Sequence, residues 1–186
     1  MHSIDEIRPR LPERRHPFAT CRGHIGEIGA EFILNIEPKE AYHKGGRERN
    51  MANQGDGTKG NPWVLQTPPG TSEYTLYRDE TQNPPVLVCQ VGTTQLQYDL
   101  RAIEDLHAML KAHGDWMELG SADEQKPAKE GTVEAWGRSP DNPIGGWYGL
   151  KKGLRGRFGM YIPPVLERLG LAEVEHNARN NRMRAL

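Results

Sequence analysis

A chain of 186 residues, 35% of them hydrophobic and with a mean hydropathy of −0.76, has room for one domain of ordinary size with polar flanks. Its best apolar run, residues 86–89, falls far short of the roughly 18 residues that a membrane helix needs, so no membrane partner is expected. The net charge of −1 hides an uneven spread: residues 51–115 carry four basic and eight acidic side chains, residues 138–186 nine basic and four acidic. Such polarity suits an acidic partner for the C-terminal end, nucleic acid first among them, or an attraction between the two halves of one fold.

Residues 1–50 read unlike the rest. Prolines at 9, 12, 17 and 38 interrupt the chain, and no apolar period persists. The purine-rich codons behind residues 44–50, just before Met51, read as a translated ribosome-binding site, so Met51 is expected as the natural start. A genuine disordered leader is the alternative. Two further units are expected, 57–120 and 121–186, which share one compact body.

Residues 61–63 (Asn-Pro-Trp) and 67–70 (Thr-Pro-Pro-Gly) carry turn and extended chemistry. Residues 72–78 alternate as a strand, 86–91 form a continuous apolar strand, and 94–99 alternate again. The fold class expected is α+β, opening with an antiparallel three-stranded meander whose middle strand is central. Asp99 is placed to cap a helix over 100–113, with Leu100, Ile103, Leu106 and Leu110 on one face and Gly114 as the stop. A short strand is expected within 115–119.

Pro127 stands at a first helical position, predicting a helix over 128–138 with Val133 and Trp136 inward, although Gly131 weakens it. Residues 139–143 form a loop. A helix from Pro163 or Pro164 to Leu169 ends on Gly170, and strands at 171–176 and 181–186 flank turn residues 177–180. Helices followed by a β-hairpin resemble a winged helix in arrangement.

The chemically directed stretch is 145–161, GGWYGLKKGLRGRFGMY. It sets Lys151, Lys152, Arg155 and Arg157 among Trp147, Tyr148, Phe158 and Tyr161 with no acid between them. Cations neutralise phosphates and aromatic faces stack on bases. Arg179, Arg182 and Arg184 of the terminal hairpin could add a wing contact. For the four aromatics a core role is the preferred reading and for the arginines a binding role, the alternative for the cations being to snorkel on a solvated face. The glycine spacing matches neither a P-loop nor a dinucleotide fingerprint.

No catalytic motif is present. The acid–base candidates His107, His113, Asp115, Glu118, Asp123 and Glu124 read as surface electrostatics and helix-end charges. The two cysteines, Cys21 and Cys89, lack close Cys or His partners, so neither a disulfide framework, a metal site nor a cofactor is expected, and the cytoplasm is the default compartment.

Through Gly60-Asn61-Pro62-Trp63, residues 67–72, His113-Gly114-Asp115-Trp116 and the basic C-terminal run, residues 57–186 resemble a family of small bacterial domains of unknown function. The resemblance implies domain limits and no functional residues. The expectation is a nucleic-acid-binding domain. A protein-interaction or homo-oligomerisation module, and an enzyme using His107 or His113, stand as alternatives.

Overall fold

The computed structural model describes residues 55–186. The expectations for residues 1–50, and Cys21, lie outside the described residues. The first sheet is antiparallel and runs in chain order: β1 (Trp63–Gln66), β2 (Glu73–Asp79), β3 (Val86–Val91) and β4 (Thr94–Asp99). The expected three-stranded meander is therefore a four-stranded one. The correction lies at residues 63–66, where Trp63 and Leu65 point into the core opposite Leu76 and Tyr74 of β2. Four residues between two proline turns were too short to announce a strand by pattern alone. β3 is central, as its unbroken apolar run requires: Leu87 and Cys89 face the main core, and Val86 and Val88 are buried as well.

Helix α1 (Ala102–His113) lays Ala102, Ile103, Leu106 and Leu110 into the core, and Gly114 caps it, donating its N–H to Leu110 O. Asp99 does not cap the helix directly. The N-cap is Arg101, and Asp99 Oδ1 accepts from Arg101 N at 3.1 Å, closing the turn that leads into α1.

A second sheet joins β5 (Met117–Glu118), β6 (Ala172–Val174) and β7 (Arg182–Ala185) in the order β5-β7-β6. The terminal hairpin forms as the turn residues indicate, and β5 adds a third strand to it. The helix expected over 128–138 shrinks to α2 (Val133–Trp136). Gly131 adopts a left-handed φ of 71°, and Thr132 is extended and accepts from Ala135 N, so the chain enters the helix only at Val133. Helices α3 (Phe158–Tyr161) and α4 (Pro163–Arg168) follow, the first of them unannounced in the sequence. No helix among the described residues is long and apolar enough to cross a membrane.

One cluster of buried side chains takes in both sheets and all four helices. At its centre, aromatic rings stack in series: Trp136 on Tyr148 at 5.3 Å and Tyr148 on Phe158 at 5.4 Å, with Tyr98 edge-on to Phe158 at 6.2 Å. Tyr161 sits edge-on to Tyr74 at 5.2 Å. Three of the four aromatics of residues 145–161 are thus core or core-edge anchors, worth about 0.5–1.5 kcal/mol per ring pair beyond their buried area.

Helix α3 reaches this core because Gly159 lets its backbone lie against the Leu119 carbonyl, where a Cβ would collide with backbone. In an open helix Gly→Ala stabilises by about 0.5–1 kcal/mol. At Gly159 the sign is expected to reverse, with Gly159→Ala losing about 1–3 kcal/mol through overpacking. Urea denaturation checks it, and a neutral or stabilising result would contradict the packing described.

Candidate functional site

Residues 149–157 are fixed by backbone before any side chain acts. Leu150 N donates to Gln97 O and Asp99 N to Tyr148 O, both at 2.9 Å, so this segment continues the sheet along the outer edge of β4. Leu154 N then bonds Lys151 O at 2.8 Å, closing a turn with Lys151 and Lys152 exposed on it. The return leg packs tightly: a Cβ at Gly149 would stand 2.7 Å from Arg155 O.

A second loop, residues 121–130, embraces this one with carboxylates. Asp123 Oδ1 accepts from Arg157 Nε at 2.6 Å, and that contact holds the Asp123 carboxyl below its ordinary range. Glu124 accepts from Gly153 N at 2.8 and 3.0 Å and from Arg155 N at 3.3 Å, with Arg155 Nη1 at 3.9 Å. The Gly153 N–H is the main cause of the lowered Glu124 pKa.

The acidic loop is itself held from below by Arg138. Its guanidinium donates to the carbonyls of Asp123 at 3.2 Å, Lys126 at 3.0 Å and Ala122, and it pairs with Glu134 at 2.5 Å. Glu134 is fully buried and also accepts from Gly159 N at 2.7 Å; burial pushes its carboxyl above the usual range despite both contacts. Trp147, half-buried, is the fourth aromatic of the stretch and lies against both Arg138 and Arg155, whose guanidinium carbons are 4.5 and 4.7 Å from its ring centroid.

The hairpin arginines are similarly engaged. Arg182 pairs with Glu175 at 2.6 Å, Arg184 with Glu173 at 2.7 Å, and both guanidiniums lie over Trp116. Of the seven cations singled out in the sequence, Arg155, Arg157, Arg182 and Arg184 are therefore in ion pairs, while Lys151, Lys152 and Arg179 make none among the described residues. The partner acids lie at 123–124 and 173–175, not in the acidic stretch 51–115. Arg101–Asp105 and Lys129–Glu118 are further pairs, and Asp105 Oδ2 also accepts from Tyr148 Oη at 2.8 Å.

The acid–base candidates do not assemble. His107 is partly buried, which lowers its pKa, and its Nε2 has no hydrogen-bond partner among the described residues. His113 is exposed at the end of α1, Asp115 accepts from Trp116 N, and Glu118 is paired with Lys129. No group of three or more His, Cys, Asp or Glu among the described residues could hold a metal ion. Cys89 is fully buried and its thiol is pushed well up, leaving it inert. An open cleft of about 370 Å³ beside β4 is lined by Thr93, Thr94, Gln95, Gln97, Lys151 and Leu154, none of them an acid–base candidate. Sequence reasoning missed Glu134–Arg138, although their four-residue spacing was a visible pairing signal. It missed also the link from His176 to Pro68 O at 2.9 Å and to Glu167 at 2.8 Å, for which the sequence offered no signal.

No curated protein and no solved structure matches the chain significantly. Residues 55–186 match the profile of a family of unknown function (DUF6855), and the chain belongs to that family.

Proposed function

We propose that this domain binds nucleic acid, chiefly through phosphate contacts from Lys151, Lys152 and Arg179. The observation that carries this reading is the partition of the cations: these three are exposed on two loops and make no ion pair among the described residues, although the Lys152 charge acts on the nearby Glu124. Topology adds support. From α1 onward the elements run helix, strand, helix, helix (α3 with α4), strand, strand, and the first strand lies against the last, which is the order of a winged helix. In that reading the turn carrying Arg179 is the wing.

The same geometry narrows what such binding would read. α3 and α4 bury Phe158, Gly159, Pro163, Pro164, Val165 and Leu166, so no long basic helix face is offered to a major groove. Contacts confined to phosphate carry no sequence information.

Three contacts predict a log–log salt slope of about −3, hence roughly a 40-fold loss of affinity between 50 and 200 mM salt, where seven contacts would cost several thousandfold. Mobility shifts at the two ionic strengths check it. The triple variant Lys151→Glu, Lys152→Glu, Arg179→Glu is expected to abolish binding, and Arg182→Ala with Arg184→Ala to change it less than about twofold. Absent or salt-insensitive binding by the unaltered chain overturns the reading.

One observation favours a second reading, a protein-interaction module. The edge of β4 is covered only from Gln97 onward, and Thr93–Gln95 beyond it border the open cleft. Light scattering that finds a stable oligomer, lost on introducing a proline at Gln95, would favour it over the first.

A further inference from the structure

The contact between Glu124 and residues 153–155 has the form of a ligand in a site. Two backbone N–H groups, from Gly153 and Arg155, converge on one carboxylate that arrives from about thirty residues away. Gly153 adopts a φ of 84°, a left-handed conformation that turns its N–H to the same side as that of Arg155. Backbone N–H groups turned to one side in this way, here those of Gly153 and Arg155 with the Leu154 N–H between them bonded to Lys151 O, form a concavity with positive potential suited to anions. The Arg155 guanidinium closes one side at 3.9 Å, and its Nε is buried and donates to no acceptor among the described residues. Lys151 and Lys152 stand exposed on the same turn, and the Lys152 charge already acts on Glu124.

A carboxylate uses this site incompletely. It offers two oxygens and a single charge, and leaves the Arg155 Nε donor unused. A phosphate group brings more acceptor oxygens, and a monoester brings up to a second charge. The geometry points to an anion site for a phosphate group at Gly153 N, Arg155 N and the Arg155 guanidinium, which the Glu124 side chain occupies as an internal competitor. The 121–126 loop is then its displaceable cover, fastened by Asp123 to Arg157 and by Arg138 to the loop carbonyls. This deepens the nucleic-acid reading by naming the position at which a backbone phosphate enters, and it stands equally for a free phosphate.

Glu124→Gln separates the site from a merely structural turn cap. The amide keeps a carbonyl acceptor for Gly153 N but gives up the charge that competes with an incoming anion. The full chain and the variant are titrated with inorganic phosphate, and separately with a short single-stranded oligonucleotide, while the Gly153 and Arg155 backbone amide resonances are followed. A site filled by Glu124 for about nine-tenths of the time or more binds an incoming anion weaker by that free fraction, so the variant is expected to bind phosphate about tenfold or more tightly than the unaltered chain. Saturable shifts should centre on those two amides. Glu124→Asp, which keeps a charge but withdraws it from the concavity, carries the same test should the neutral variant be unstable, and the same gain is expected.

Unchanged or weaker phosphate binding in both variants, or shifts centred elsewhere, overturns the site. Phosphate saturation of the two amides without oligonucleotide binding by any form leaves the site standing and removes the nucleic-acid reading. Oligonucleotide binding equal in all forms, with the two amides unmoved, leaves the surface lysines standing and removes the site.

Discussion

Replacing Arg138 by methionine is expected to destabilise the domain by about 3–5 kcal/mol, the cost of removing one partner from a buried ion pair. The Arg138 side chain is only 9% exposed and that of Glu134 only 1%, so the carboxylate left behind cannot regain its hydration. It would keep Gly159 N, while the carbonyls of Ala122 and Lys126 would lose the Arg138 donor and that of Asp123 would keep Lys126 N. Against a typical total of about 5–15 kcal/mol, such a loss takes up much of the stability of the domain. Glu134→Gln is expected to cost less, about 1–3 kcal/mol: its single amide oxygen accepts from Arg138 or from Gly159 N but not from both, while no buried carboxylate is left without its cation and the arginine keeps three carbonyls.

The pH dependence follows in sign. Burial raises the Glu134 carboxyl in the folded state, so its contribution is full below the unfolded value and is lost as pH rises through the folded one. Removing Arg138 takes away a contact that lowers that pKa, and so raises it further. The deficit of Arg138→Met should therefore be smaller near pH 4.5 than at pH 7.5. The comparison is made between variant and parent at each pH, because Asp123, Glu124 and Glu175 have lowered pKa values and weaken both proteins on acidification. Urea denaturation at the two values checks both claims, and a loss under 1 kcal/mol at pH 7.5 would mean that the pair is not buried as described.

That pair also marks where the sequence stopped being legible. Glu134 and Arg138 stand four apart, and on the longer helix expected over 128–138 they would have formed an ordinary surface pair. Only the late entry of α2 at Val133, with the return of residues 146–159 over it, buries them. Charge counting failed for a related reason. The windows 51–115 and 138–186 leave out 116–137, where five acids face two bases, and Asp123 and Glu124 lie there. A sum over a window records cations and cannot record where a loop from outside it folds. Strongly patterned elements were legible: β2, β3, β4, α1 and the terminal hairpin lie within a few residues of their expected limits, because each carries its own periodicity and stop signal. β5, of two residues, falls within the short strand expected at 115–119, whereas β1, of four, carries no such signal and exists because β2 completes its hydrogen bonds.

Asn142 shows how a residue type legible only as loop chemistry can set the shape of the candidate surface. It is 5% exposed, and its amide is satisfied on every side. Nδ2 donates to Trp136 O at 2.9 Å and Gly146 O at 2.6 Å, while Oδ1 accepts from Ile144 N at 3.2 Å and Gly146 N at 3.3 Å. One side chain thereby closes the loop that delivers Trp147 to the space between Arg138 and Arg155. Asn142→Ala leaves Gly146 O, Ile144 N and Gly146 N without partners, Trp136 O keeping Ser139 N, and at about 1–3 kcal/mol for each group that water does not reach, a net loss of about 2–4 kcal/mol is expected after relaxation. Asn142→Asp is nearly isosteric and should be at least as damaging near neutral pH. It keeps the two accepted bonds, but it sets a buried charge against two carbonyl oxygens. Acid should partly rescue the aspartate variant alone, since a protonated carboxyl regains one donor for one of those carbonyls. Denaturation of both variants at pH 4.5 and 7.5 separates the cases. Equal stability of the alanine variant and the parent would mean that residues 139–147 are held by the aromatic stack and not by Asn142, and the position of Trp147 would then need another cause.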